Sequence, residues 1–202
     1  MSKGSKTLII VLAVVAVIVF GLYRFFAGNY NKMVSMEETV TSQWAQVQNQ
    51  YQRRLDLIPN LVSTVKGYAS HESEVYEEVA KARSAAGGVV NIDKSVLDDP
   101  EAFKKYQQVQ NQLGSSLQRL LAVSENYPEL KANENFLALQ DQLEGTENRI
   151  ATERKRFNDV AQAYNTFIRQ FPRVIVANMS GFRAKAYFSA SDEAQSAPQV
   201  KF

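Results

Sequence analysis

Fifteen apolar residues stand in a row from Leu8 to Leu22, LIIVLAVVAVIVFGL, and beyond them the chain changes to a helical alternation of apolar and polar positions. Widened to seventeen uncharged residues, 7–23, the first stretch makes a helix about 25 Å long at ~1.5 Å per residue, against a hydrocarbon core of about 30 Å. Snorkelling Lys6 and Arg24, with Tyr23, Phe25 and Phe26 at the interface, make up the difference. The run reads as a transmembrane helix. A cleaved signal peptide is the alternative, with Lys3 and Lys6 as its basic start. It is disfavoured because Phe25 would occupy the first small position of an A-x-A cleavage site. The chain has no cysteine, which excludes lipoprotein processing.

From Asn29 to Ala86 the pattern is helical throughout. Its stripe runs through Met33, Met36, Val40, Trp44, Val47, Tyr51, Leu55, Ile58, Val62, Val65 and Ala69, every step three or four residues. It weakens at Glu72 and resumes at Tyr76 and Val79. Pro59 falls inside this run, where a proline removes one backbone donor. The register survives across it, which favours a kinked continuous helix over a turn. If the chain turned there instead, four helices of comparable length would result. Gly87 and Gly88 are expected to stop the helix.

A connection over 89–99 leads to Pro100, a first helical residue after an Asp cap. The second helix is expected from Pro100 to about Glu125. Its stripe is Phe103, Tyr106, Leu113, Leu117, Leu120 and Leu121, interrupted by Gln110 and Ser124. Asn133 caps the next helix, which runs to about Gln170. The stripe there, from Phe136 through Leu143, Ile150, Phe157 and Tyr164 to Phe171, is close to a coiled-coil period. A short helix from about Arg173 to Met179 follows Pro172. The pattern predicts an all-α protein: an N-terminal transmembrane helix followed by an antiparallel bundle of three to four long helices. The divisions are a stub and anchor over 1–28, the bundle over 29–188 and a loose polar tail over 189–202.

Net charge is +2, which argues neither for nor against nucleic acid. The anchor and the lack of a recognised module argue against it. Flanking the span, Lys3, Lys6 and the terminal amine stand against Arg24 and Lys32. That margin leans to a cytoplasmic N-terminus and an extracytoplasmic, periplasmic bundle. Residues 149–185 hold eight basic residues opposed by Glu153 and Asp159. Among them Arg169, Arg173, Arg183 and Lys185 are candidates for contact with anionic lipid headgroups, with Phe182, Tyr187 and Phe188 beside them at the interface. The plainer reading is an ordinary basic face of the bundle.

Catalytic and metal chemistry find little support. His71 is the one histidine, and Val75 stands where a His-Glu-x-x-His zinc site needs its second ligand. His71 with Glu74 or Glu78 reads as a solvated acidic helix end. The serines lie in no nucleophile elbow and the glycines make no phosphate loop. No enzyme and no cofactor are expected. The most distinctive polar group is Arg53, Arg54 and Asp56, close to Pro59 and Asn60. It reads as a recognition point, as a salt-bridge node holding the helix, or as solvated surface.

The stretch Arg53-Arg54-Leu55-Asp56-Leu57-Ile58-Pro59-Asn60-Leu61-Val62, continuing to Val65-Lys66-Gly67-Tyr68-Ala69-Ser70-His71-Glu72, resembles the central signature of the LemA family. Ala80–Ala85, Glu125–Asn133, Leu139–Ile150, Tyr164-Asn165 and Ala197–Val200 fit the same pattern. The resemblance implies a bacterial, membrane-anchored helical protein. Some relatives are associated with membrane remodelling or organelle formation, and some neighbour a membrane metalloprotease in their genomes. It implies a short N-terminus outside, opposite to the charge count. The expectation is a non-enzymatic scaffold or interaction module at the bilayer, its near-heptad seams available for a homo-oligomer. The alternative is an accessory subunit of a membrane metalloprotease or envelope-stress system.

Overall fold

The computed structural model describes residues 3–189, and within them there are six α-helices and no strand. The first helix, α1 (Lys3–Tyr68), is unbroken over 66 residues, roughly 100 Å at about 1.5 Å per residue. Its apolar N-terminal window is wholly exposed in the fold and is long and apolar enough to cross a membrane. Beyond Tyr23 the same helix enters the bundle. Met33, Val40, Trp44, Val47, Tyr51, Leu55, Ile58 and Val65 are all buried there, as the stripe predicts, and so is Ala69 just past the helix end. Leu57, Leu61 and Arg54 are buried as well. The covered face is wider than one stripe because helices pack on two sides of α1.

Pro59 lies inside α1, so the chain continues through it and no turn forms there. A proline leaves the carbonyl four residues earlier without its helical donor. That carbonyl is Leu55 O, and it lies 3.5 Å from Arg83 Nε of the next helix. A tertiary bond thus replaces part of what the proline removes.

The helix does not run on to Ala86. It ends at Tyr68, and the chain reverses over 69–72, where Glu72 N–H bonds Ala69 O at 3.2 Å. Ala69 is buried, and Tyr76 Oη donates to its carbonyl at 2.6 Å, which ties the returning helix down. The weakening of the stripe at Glu72 marks this reversal. α2 (Ser73–Val89) then runs antiparallel to α1 and includes Gly87 and Gly88, which do not stop it. The backbone carbonyls just past its end, at Val90 and Ile92, accept from Gln48 Nε2 of α1 at 3.0 and 3.1 Å. A side chain from across the interface satisfies carbonyls that a glycine cap would otherwise arrange.

α3 (Pro100–Val123) begins under an Asp99 cap, whose carboxylate accepts from Glu101 N and Ala102 N at 3.0 and 3.1 Å. It packs chiefly on α2. A short α4 (Pro128–Lys131) turns the chain. α5 (Glu134–Arg169) starts at the predicted cap, Asn133, which accepts from Phe136 N at 3.0 Å. It runs back along α1, with Tyr68 and Asn133 joined at one end and Gln43 and Glu153 nearer the membrane span. α6 (Arg173–Ser180) packs between the end of α5 and α1 and closes on Gly181, whose φ of 77° suits glycine. The four longer helices make the predicted antiparallel bundle.

Candidate functional site

The distinctive arginine-rich stretch divides between inside and outside. Arg54 is buried at 3 % exposure at the meeting of α1, α3 and α5. Its guanidinium donates to Gln110 Oε1 at 2.7 Å, to Gln110 O at 3.0 Å and to Glu147 Oε1 at 3.1 Å. It also lies over the Tyr51 ring, 5.1 Å from the centroid. Glu147 is 42 % exposed, so half of the ion pair stays wet. Leu55, Leu57 and Ile58 are buried with it, while Arg53, Asp56, Pro59 and Asn60 face outward. Arg53 reaches Gln142 of α5 at 3.3 Å, Asp56 accepts from Gln52, and Pro59 and Asn60 are exposed. The geometry makes Arg54 a cross-link between three helices. Gln110 and Glu147, which complete it, were not singled out from sequence. The signal for Gln110 was its interruption of an apolar stripe.

His71 is exposed in the reversal, while Glu72 accepts from Tyr127 Oη at 3.2 Å and Glu78 pairs with Arg119 at 2.6 Å. Glu74 is exposed on α2. Among the described residues no group of three His, Cys, Asp or Glu side chains gathers in a way that could hold a metal ion. Two carboxylates do converge, Glu37 of α1 and Asp98, but a lysine already sits between them.

That lysine is Lys185, and it is not at the surface as the basic-face reading expects. Its side chain is 7 % exposed, with Nζ 2.6 Å from Glu37 and 2.7 Å from Asp98. Burial pulls the ammonium toward losing its proton, and the hydrogen bonds and charge of Asp98 and Glu37 outweigh that, so its pKa lies above the usual lysine value. It therefore offers no free charge to a headgroup. Lys185 belongs to an extended strap, residues 182–189, that lies along the bundle. Three side-chain amides read the strap's backbone. Asn165 donates to Lys185 O and accepts from Lys185 N, both at 2.8 Å. Asn158 does the same at Phe188, at 2.8 and 2.9 Å. Gln107 bonds Ser189 O. Without such partners an extended segment would leave its polar backbone unpaired.

Phe188, expected at a lipid interface, is instead buried between helices. Its ring centroid is 4.8 Å from Phe103, 5.5 Å from Phe157 and 6.1 Å from Trp44. Tyr106 adds to this cluster at 5.1 Å from Trp44. Burial pushes the Tyr106 hydroxyl pKa far up, and burial with the charges of Glu37 and Asp98 does the same for Tyr164. Both are neutral structural groups.

The remaining basic candidates gather where α1 leaves its apolar run. Arg169 and Arg183 are exposed, and Arg173 is partly buried over the Phe167 ring, 4.3 Å from its centroid. Phe182 packs on Tyr30 of α1 at 5.6 Å, and Phe25 and Phe26 are partly buried against the core. Beside the arginines are three large exposed apolar residues: Ile175, Met179 and Phe171, which the stripe of α5 was expected to bury and which lies beyond the end of that helix. They stand four residues apart.

The family model described as LemA family matches residues 43–202, from the second half of α1 onward. Magnetosome protein MamQ of Magnetospirillum gryphiswaldense is 26% identical, over 99% of this chain and 79% of its own length. Magnetosome protein MamQ 2 of Paramagnetospirillum magneticum is 29% identical, over 93% of this chain and 74% of its own. Protein LemA of Metamycoplasma hominis is 23% identical, over 87% and 76% respectively.

Proposed function

The chain belongs to the LemA family, and on that premise we propose that it is a non-enzymatic, single-pass membrane protein whose bundle serves as a scaffold or interaction module at the bilayer surface. It works by assembling with copies of itself and so organises the membrane around it. The single observation that carries this reading is the continuity of α1. One helix supplies both the exposed apolar run and a wall of the bundle core, with Met33 and Val40 fully buried soon after the span ends. A rod without a hinge couples the position of the bundle to the tilt of the anchor, so contacts between bundles act on the bilayer. The relatives named as magnetosome proteins support a role in membrane organisation.

The carboxylate pair closest to a catalytic arrangement, Glu37 and Asp98, is closed by Lys185, which supports a binding protein over an enzyme. The test is the mass of the detergent-extracted full-length protein, followed by imaging of vesicles into which it is reconstituted. A defined oligomer and vesicles of altered shape are expected. A monomer that leaves vesicles unchanged refutes self-assembly and passes the reading to a subunit of a membrane protease complex, for which affinity capture with the anchored protein is the experiment.

A further inference from the structure

Exposed apolar side chains and unopposed positive charge coincide at the membrane-proximal end of the bundle. Phe171 is 83% exposed and Met179 74%, values more typical of residues in the apolar span than of a folded surface. Ile175 and Met179 stand one turn apart on α6, and Phe171 sits in the turn that leads into it. The opposite face of α6 is closed, with Val176 and Ala177 buried. No aspartate or glutamate occurs from Val160 to Ser189, or from Arg24 to Met36. Among the described residues, Arg24, Lys32, Arg169, Arg173 and Arg183 meet no carboxylate within ion-pair distance.

Position along α1 decides what faces this surface. Phe182, which directly follows Gly181 at the end of α6, packs on Tyr30. Tyr30 lies seven residues past Tyr23, about 10 Å along a helix. The headgroup region of one leaflet is about 6 Å thick, and helices lying in an interface bury their apolar face ~5–10 Å. By its packing on α1 the end of α6 thus sits at the outer edge of the headgroup layer, within the reach of side chains that dip into it.

We infer that α6 and its lead-in turn form a second membrane contact: Phe171, Ile175 and Met179 enter the interface of the leaflet from which α1 emerges, and Arg169, Arg173 and Arg183 meet the phosphates of anionic lipids there. The inference rests on α1 spanning the bilayer, as proposed above. A helix attached at one point is free to tilt and rotate. With α6 seated as well, the tilt and rotation of the rod are set, and one leaflet takes extra volume at its headgroup level.

The absence of cysteine makes the test direct, because single cysteines can be labelled in the full chain. Three variants, Met179→Cys, Ser70→Cys and Val17→Cys, carry an environment-sensitive fluorophore and are reconstituted into phosphatidylcholine vesicles with and without phosphatidylglycerol. Lipids brominated near the top of the acyl chain quench labels in the bilayer, and iodide quenches labels in water. The expected result is lipid quenching at 179 several-fold stronger than at 70, weakened by omitting phosphatidylglycerol or by reversing Arg169, Arg173 and Arg183 to Glu. If 179 behaves like 70 while 17 is quenched by lipid, the α6 contact is refuted and the membrane span stands. If 17 is not quenched by lipid, both readings fall. A label at 179 shielded from lipid and iodide alike shows that protein covers the face, which also overturns the inference.

Discussion

Replacing Arg54 with methionine removes the buried cross-link while keeping an unbranched chain in its place, and its cost can be worked from the contacts. Glu147 is 42 % exposed, so water takes over the carboxylate and the ion pair itself contributes little to the loss. Gln110 is different. It is 1 % exposed, its Nε2 already lacks a partner, and its Oε1 loses the 2.7 Å bond to Arg54. A buried polar group left unpaired costs about 1–3 kcal/mol, and loss of the cation over Tyr51 adds about 1 kcal/mol. The sum is about 3 kcal/mol, or a fall in Tm of roughly 6–12 °C for a chain of this size. Thermal and guanidinium melts of the detergent-extracted full-length protein measure it, followed by circular dichroism and by the fluorescence of Trp44, the one tryptophan and 2% exposed. If orphaning Gln110 is the cause, Arg54→Met with Gln110→Leu recovers most of the loss, because both polar partners are then gone. The reasoning is refuted if Arg54→Met melts like the native chain, or if adding Gln110→Leu deepens the loss.

Other parts of the molecule are open to similar tests. Phe188→Ala empties a place among Phe103, Phe157 and Trp44 and costs about 3–4 kcal/mol, with a red shift of Trp44 emission as water gains access; an unshifted spectrum would show that the strap does not seal the cluster. Lys185 has its pKa raised in the fold from 10.5, so its contribution is complete below that value and is lost as pH rises through the folded value. Buried Tyr106 and Tyr164, raised from 10.0, weaken the fold in the same direction once the unfolded tyrosines ionise. Stability should therefore fall above about pH 10, and Lys185→Met should remove part of this alkaline loss and leave the tyrosine part; an unchanged profile would contradict the buried ion pair. Arg83→Ala should destabilise the native chain yet be nearly neutral beside Pro59→Ala, whose new N–H can bond Leu55 O; additive effects in that cycle would remove the link between Arg83 and the proline. Gly181→Ala should cost about 1–2 kcal/mol for its left-handed backbone, read as a lowered Tm.

The signature stretch shows how a motif can be conspicuous in sequence for structural reasons. Leu55, Leu57, Ile58 and Leu61 are core, Arg54 joins three helices, and Pro59 sets up the bond to α2. Within Arg53–Val62, Arg53, Asp56 and Asn60 face outward.

Sequence by itself determined the elements whose causes are local. The apolar run, the α1 stripe and the Asp99 and Asn133 caps act within one or two helical turns, and each stands where the pattern put it. Tertiary structure decided whatever depends on partners far along the chain. The reversal falls at 69–72, and Tyr76 and Tyr127 help hold it. α2 runs past its two glycines because Gln48 meets the carbonyls beyond its end. Arg54 is a buried node only because residues 56 and 93 positions away arrive beside it. Lys185 and Phe188 read as surface and interface in a run of basic and aromatic residues, and the fold turns both inward, since Glu37, Asp98 and the ring cluster lie on other helices. Charge and periodicity describe what a side chain can do; which neighbour it meets is set by how the helices register against one another, and that information is spread over the whole bundle.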